Sequence, residues 1–463
     1  MSTAIALPPS PPSHPAAAPA GDWTSALNAV GFFLFLLVNA ALFVRPGEVV
    51  PDLVGWNIYE FLILACLAVA FPAVLGQFTA KSLEERPVTV CVLGLFLAVI
   101  LSELAQLDFT RLLDSGVFFL KIVVYYVLFV GVVNGPARLR TFLFWVLVFA
   151  TTTISLAVLQ YHGFLTLPNL DQTIDSGLDA ATGRDVHFVR LAGSGIFHDP
   201  NEVGVLIAVA FLLGLYWLFD RRTGPARLLW VGPLVLFLYA MSLTQSRGGL
   251  LALLAGLAVF LIARFGWRTA LLAGAVVVPV LLLLLAGRQT DLSTEQGTGQ
   301  DRIQIWSDGL ILMREAPLFG VGKDVFNEHI GHVAHNSYLQ CFVELGAFGG
   351  MLFLGAFYLA AEQLLRLGNP RKHTLPDPEM RRLYPYVSGL VAAWTVGMMS
   401  LTLCYILPTY TVLALATVFV RTAPAEPPLP ATRFDLRLLG RLLLAAGCGF
   451  AALYLFVRVF LVH

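Results

Sequence analysis

Apolar stretches long enough for a membrane crossing recur along the chain at Trp23–Phe43, Val54–Leu75, Val88–Leu107, Gly116–Asn134, Thr141–Tyr161, Val203–Phe219, Leu228–Thr244, Gly249–Ala263, Thr269–Ala286, Gly346–Leu365, Tyr384–Leu401, Tyr405–Val420 and Leu442–Val457. A helical crossing uses about 20 mostly apolar residues. The pattern therefore predicts an all-α polytopic membrane protein, a bundle of about 12–13 transmembrane helices. The eleventh and twelfth stretches lie close enough together to form one crossing or two. The sequence divides into a disordered Pro/Ala-rich tail over 1–22 and a single transmembrane domain over 23–463. Two connections are much longer than the rest, 161–202 and 288–345, and long loops between packed spans tend to carry function.

Composition agrees: 58% of the 463 residues are hydrophobic and 13% charged, and mean hydropathy is +0.79, values foreign to ordinary globular proteins. The 29 basic and 29 acidic residues cancel, so total charge points to no nucleic-acid partner. Cys66, Cys91, Cys341, Cys404 and Cys448 show no ligand-like spacing, which argues against a cysteine-built metal site. The distribution of charge is more informative than its total. If the connections alternate across the bilayer, eighteen Lys and Arg fall on one side and nine on the other, with Lys121 and Arg458 inside spans. Basic residues gather in cytoplasmic loops, so the N-terminus is expected in the cytoplasm and both long loops on the opposite, extracytoplasmic face.

Three polar clusters stand at that face. The first, Arg190-Leu-Ala-Gly-Ser-Gly-Ile-Phe-His198-Asp199-Pro-Asn201-Glu202-Val-Gly204, reads partly as a helix start with Asp199 as cap and Pro200 at the first helical position, which leaves Arg190 and His198 unexplained. The second, Thr244-Gln-Ser246-Arg247-Gly-Gly249, sets an arginine at the membrane edge beside two glycines that allow close backbone approach. The third runs from Asp301-Arg302 through Trp306 to His335-Asn336-Ser-Tyr338 and Glu344. There Ile303, Trp306, Leu310 and Met313 recur at helical spacing and predict an amphipathic helix on the membrane surface. A helix start beside His335 would keep its imidazole neutral and able to act as a base. His329, His332 and His335 recur every three residues, but Gly331 interrupts a shared helix and no carboxylate completes a metal-ligand set.

Arginines converging from separate connections suit a polyanion, and at a membrane edge a lipid phosphate. A neutral histidine beside it could accept a proton from an attacking hydroxyl while the arginines stabilise a departing diphosphate. No Walker or dinucleotide loop is present, and none is needed for such an inverting displacement.

At these residues the sequence resembles the O-antigen ligase and O-antigen polymerase family of bacterial membrane glycosyltransferases. The resemblance rests on GSGIFHDPNEVG (Gly193–Gly204), TQSRGGLLA (Thr244–Ala252), RIQIWSDGLILMREAPLFGVG (Arg302–Gly322) and AHNSYLQCFVELGAFGG (Ala334–Gly350). It implies a GT-C-like fold in the bacterial inner membrane, with an active site built from loops 161–202 and 288–345. It also implies metal-independent, cofactor-free transfer from an undecaprenyl-diphosphate-linked glycan to a glycolipid or glycan acceptor on the periplasmic side. By the same resemblance His335 is the expected base and Arg247 and Arg302, with Arg190 beside them, the expected diphosphate ligands. His198, Asp199, Asn201, Glu202, Ser246, Trp306, Asn336, Tyr338 and Glu344 are expected in support. The motifs do not separate ligase from polymerase. An anion transporter of the same broad family is the alternative, but charges at the membrane edge favour chemistry on a lipid.

Overall fold

The structure is a computed structural model and describes residues 21–84, 86–167, 173–178, 185–285, 298–432 and 434–460. Most of the tail expected over 1–22, and residues 286–297 of the second long loop, lie outside the described residues. In chain order the helices are α1 (Gly21–Val44), α2 (Pro46–Val49), α3 (Ile58–Leu75), α4 (Ala80–Glu84), α5 (Pro87–Ala105), α6 (Phe109–Val132), α7 (Pro136–Tyr161), α8 (Pro200–Leu218), α9 (Val231–Thr244), α10 (Arg247–Phe265), α11 (Trp267–Leu284), α12 (Thr298–Leu312), α13 (Val325–Ile330), α14 (Ser337–Glu344), α15 (Gly346–Leu367), α16 (Pro378–Gly397), α17 (Leu407–Thr422) and α18 (Leu436–Phe460). Among the described residues, 11 helices are long and apolar enough to cross a membrane, so this is an all-α polytopic membrane protein. The eleventh and twelfth apolar stretches form two helices, α16, which opens on charged residues, and α17, of 16 residues. They pack against each other, and Trp394 Nε1 donates to Thr409 Oγ1 at 3.1 Å.

The main core is one apolar cluster contributed by nearly every crossing. Because lipid tails are as apolar as the core, close packing and satisfied polar groups must hold the helices together. Both are present. The α8–α10 crossing is so tight that a Cβ added to Gly249 would lie 2.7 Å from Gly204 Cα, and one added to Gly248 would lie 2.2 Å from Ser400 Oγ. The room left by the paired glycines is thus filled by the protein itself. Tyr125 of α6 donates to Asn39 of α1 at 2.7 Å and accepts from Thr411 of α17 at 3.0 Å, tying three helices at a buried point.

The two ends of the bundle differ in chemistry. At one end Asp220, its side chain 1% exposed, takes Arg140 of α7 at 2.5 Å and Arg382 of α16 at 2.8 Å. Arg382 and Arg222 also hold Glu379 at 2.8 and 2.5 Å. Removing one member of a buried charge cluster strands the others. Asp220→Ala is therefore expected to cost about 3–5 kcal/mol, seen as a clear fall in the melting temperature of the purified protein; an unchanged melting point would show that the cluster is not a clamp.

The three sequence clusters meet at the opposite end. Two differences from the sequence expectation appear there. The 161–202 connection contains an antiparallel hairpin, β1 (Thr173–Leu178) and β2 (Asp185–Arg190), with Thr173 opposite Arg190. The apolar stripe of α12 faces protein instead of lying on lipid. Trp306, Leu310 and Met313 join a second core cluster with Phe326 of α13, Leu339 and Val343 of α14, and Leu453 of α18, and the Trp306 ring lies tilted against Phe456 with centroids 6.0 Å apart.

Candidate functional site

The starts of α8, α10 and α14 come together at this end, each with a side-chain cap of the kind that satisfies otherwise orphaned backbone donors. Asp199 accepts from Asn201 N at the start of α8. Ser246 accepts from Gly249 N at the start of α10. Asn336 accepts from Tyr338 N and Leu339 N at the start of α14. The connection between α16 and α17, residues 398–406, forms a floor that joins them. Ser337 N donates to Met398 O at 2.9 Å, Ser337 Oγ donates to Leu401 O at 2.6 Å, and Leu403 N donates back to Ser337 Oγ at 2.8 Å.

His335 immediately precedes the α14 cap and is held on both sides. Its backbone N–H donates to Thr402 Oγ1 at 3.1 Å, and the carbonyl of Ala334 accepts from Trp306 Nε1 at 2.8 Å. The backbone has φ +47, a left-handed conformation that costs a non-glycine residue on the order of 1 kcal/mol and persists only where its surroundings impose it. Burial and the guanidinium of Arg302 hold the imidazole below its usual pKa, and the Asp199 carboxylate pulls partly the other way. The helix start is thus not the main cause of its neutrality. Asp199 from the first cluster and Arg302 from the third therefore both act on His335.

The three arginines are placed differently. Arg190, 7% exposed, ends β2. Its Nε donates to Thr244 O at 2.9 Å and an Nη to Asn201 Oδ1 at 2.9 Å, while Leu191 N donates to Leu243 O at 3.1 Å. It braces the hairpin against the end of α9 and the start of α8. Arg247 is the first residue of α10 and Arg302 lies in the first turns of α12; both are half-buried.

Other residues expected in support occupy the surroundings of the site. Tyr338 sends its hydroxyl to Thr395 O of α16 at 3.1 Å. Glu344 is fully buried and burial pushes its carboxyl up to about 8. Gln340 Nε2 donates to it at 3.0 Å, and its backbone carbonyl accepts from Ser102 Oγ at 2.6 Å and Gly322 N at 3.1 Å, making it an anchor for α14. Glu202 follows Asn201 in the first turn of α8. His198 turns toward Arg45, whose Nη1 lies 3.1 Å from His198 Nε2. Because a guanidinium only donates, that nitrogen is the acceptor. α13 ends at Gly331, which separates His329 from His332, and among the described residues no three His, Cys, Asp or Glu come together as a metal-holding group.

Sequence reasoning missed Arg45, Thr402 and the whole 398–406 floor. Arg45 carried one signal, its place between an apolar stretch and Pro46. The floor carried none, because its residues are almost all apolar or small. Lys121, which the sequence could not place, pairs with Glu60 at 3.5 Å in the wall of a cavity beside His198.

Residues 232–354 match a family model described as O-antigen ligase. That stretch contains Arg247, Arg302, Trp306 and His335, and the match supports the resemblance carried by their motifs; the Gly193–Gly204 motif lies before it. No curated protein matches the chain.

Proposed function

We propose that the protein transfers a glycan from undecaprenyl diphosphate to an acceptor hydroxyl, with His335 as general base and Arg247 and Arg302 on the diphosphate. The O-antigen ligase match supports a membrane glycosyltransferase-like ligase or polymerase role, and the observation that carries the finer reading is His335, kept below its usual pKa by burial and Arg302 at the meeting point of three capped helix starts. As the acceptor oxygen bonds to the anomeric carbon, its proton passes to the imidazole. The bond from that carbon to the diphosphate breaks on the opposite face, inverting the centre. The charge freed on the leaving diphosphate is met by two bidentate guanidinium groups and by the positive ends of the helices. In this reading Arg190 is a positioning residue, since two of its donors already hold Thr244 and Asn201.

By the positive-inside rule we read the end carrying Arg140, Arg222 and Arg382 as cytoplasmic, with the site on the periplasmic face of an inner membrane. Transfer by purified protein from a defined lipid-linked donor tests the proposal, and it should survive a chelator. Chains of graded length would make it a polymerase, and one-step transfer to another acceptor a ligase. Since the base is the unprotonated imidazole, transfer should rise with pH through an inflection below the ordinary histidine value of about 6.5. Asp199→Asn retains a capping side chain but removes the charge that raises the His335 pKa, so the inflection should move further toward acid. A shift toward alkali, or none, would remove Asp199 from the site.

A further inference from the structure

A cavity of about 670 Å³ opens between α1, α2, α3, α6 and the 398–406 floor, within the range of small-molecule sites. The charges in its polar wall cancel. Arg45 pairs with Glu48 at 3.0 Å, and Lys121 with Glu60 at 3.5 Å. Glu48, its side chain 11% exposed, also accepts from Gly195 N at 2.7 Å, so it is fixed in place. An entering phosphate would meet two carboxylates along with the two cations and would have to displace ion pairs already made. A neutral polyol has no such conflict, because its hydroxyls donate to the carboxylates and accept from the cations. Trp56 at the rim, 69% exposed, offers a ring face for stacking. The buried Tyr59 hydroxyl in the same wall has no hydrogen-bond partner. Apolar residues such as Val54, Phe118 and Ile122 complete the lining, which suits an amphiphile with an uncharged head.

We infer that this cavity seats the sugar headgroup of a neutral, membrane-anchored glycolipid, and that this is the acceptor. The acceptor part rests on the reading of His335 as the base. Ile196 and His198 line the cavity, and Asp199, the next residue, acts on His335. Tyr405 and Ile406 of the floor also line the cavity, and Thr402 of the same floor accepts from His335 N, so a hydroxyl on a headgroup held there approaches the base over the floor. Division of labour then follows from the proposed roles: the arginines take the diphosphate and the charge-balanced cavity takes the sugar.

The test uses the full-length protein in nanodiscs and two photoreactive probes, an alkyl glucoside and farnesyl diphosphate, with cross-links mapped by peptide mass spectrometry. The glucoside should label peptides spanning 46–60 and 118–122, and the diphosphate probe should not. Trp56→Ala, at an exposed position that leaves folding intact, should lower glucoside labelling about tenfold, the equivalent of losing one aromatic stacking contact. Glu60→Gln leaves Lys121 unbalanced and should admit the diphosphate probe to the cavity. Stronger diphosphate than glucoside labelling in the unmodified protein, or glucoside labelling indifferent to Trp56→Ala, would overturn the assignment. Turnover of His335→Ala reads the base separately: activity there would defeat the proposed mechanism while leaving the labelling result to stand or fall alone.

Discussion

His335→Ala reduces glycan transfer by about 10²–10⁴-fold, the range contributed by a positioned general base, while the protein still inserts and melts near its normal temperature. Alanine carries a conformational complication, since φ +47 at this position suits it poorly. His335→Asn separates the two effects, because asparagine tolerates the left-handed region well but has no basic nitrogen. Both variants should lose activity to the same extent although only one is strained. Substantial transfer by the asparagine variant would mean that the backbone conformation, not the imidazole, matters here.

Arg302→Ala should lower transfer by roughly 10²–10³-fold, the scale of removing one preorganised donor from developing charge. It should also shift the pH profile. Arg302 is one of the two main causes holding His335 low, so deleting its charge raises the histidine pKa and moves the inflection toward alkali. Arg302→Lys keeps the charge and hence the pH profile, but loses the fork that grips a diphosphate at two oxygens; its rate should fall with the inflection unmoved. Steady-state rates from pH 5 to 9 for both variants distinguish the roles. If lysine restores full activity, Arg302 serves only as a point charge.

Much of this was legible in the sequence. Each of the thirteen apolar stretches became a helix, because membrane crossing imposes a length and a composition that need no tertiary information. The arginines and His335 stood out because charged and titratable residues are scarce in so apolar a chain. What escaped was irregular backbone. Residues 398–401 and 405–406 read as membrane because Met398, Leu401 and Tyr405 are apolar enough to be buried, yet with 402–404 they form the floor that positions His335. The hairpin that ends in Arg190 is too short to show a strand's alternation. For Arg190, expected beside the diphosphate ligands, composition cannot reveal that a neighbouring carbonyl and an asparagine occupy two of its donors.

The shortness of α17 has a consequence for reach. Its 16 residues span about 24 Å at 1.5 Å per residue, whereas the hydrocarbon layer is about 30 Å thick. If that shortfall of about 6 Å falls at the start of α17, the floor forms a notch in the bilayer. Non-helical backbone survives at such depth only when protein encloses it, as Ser337, Thr409 and Tyr410 do by bonding to it. A freely diffusing sugar has little reason to descend into that notch. A sugar tethered to a lipid is delivered to it by its own tail, so the depth of the floor itself would select for reactants that carry a membrane anchor.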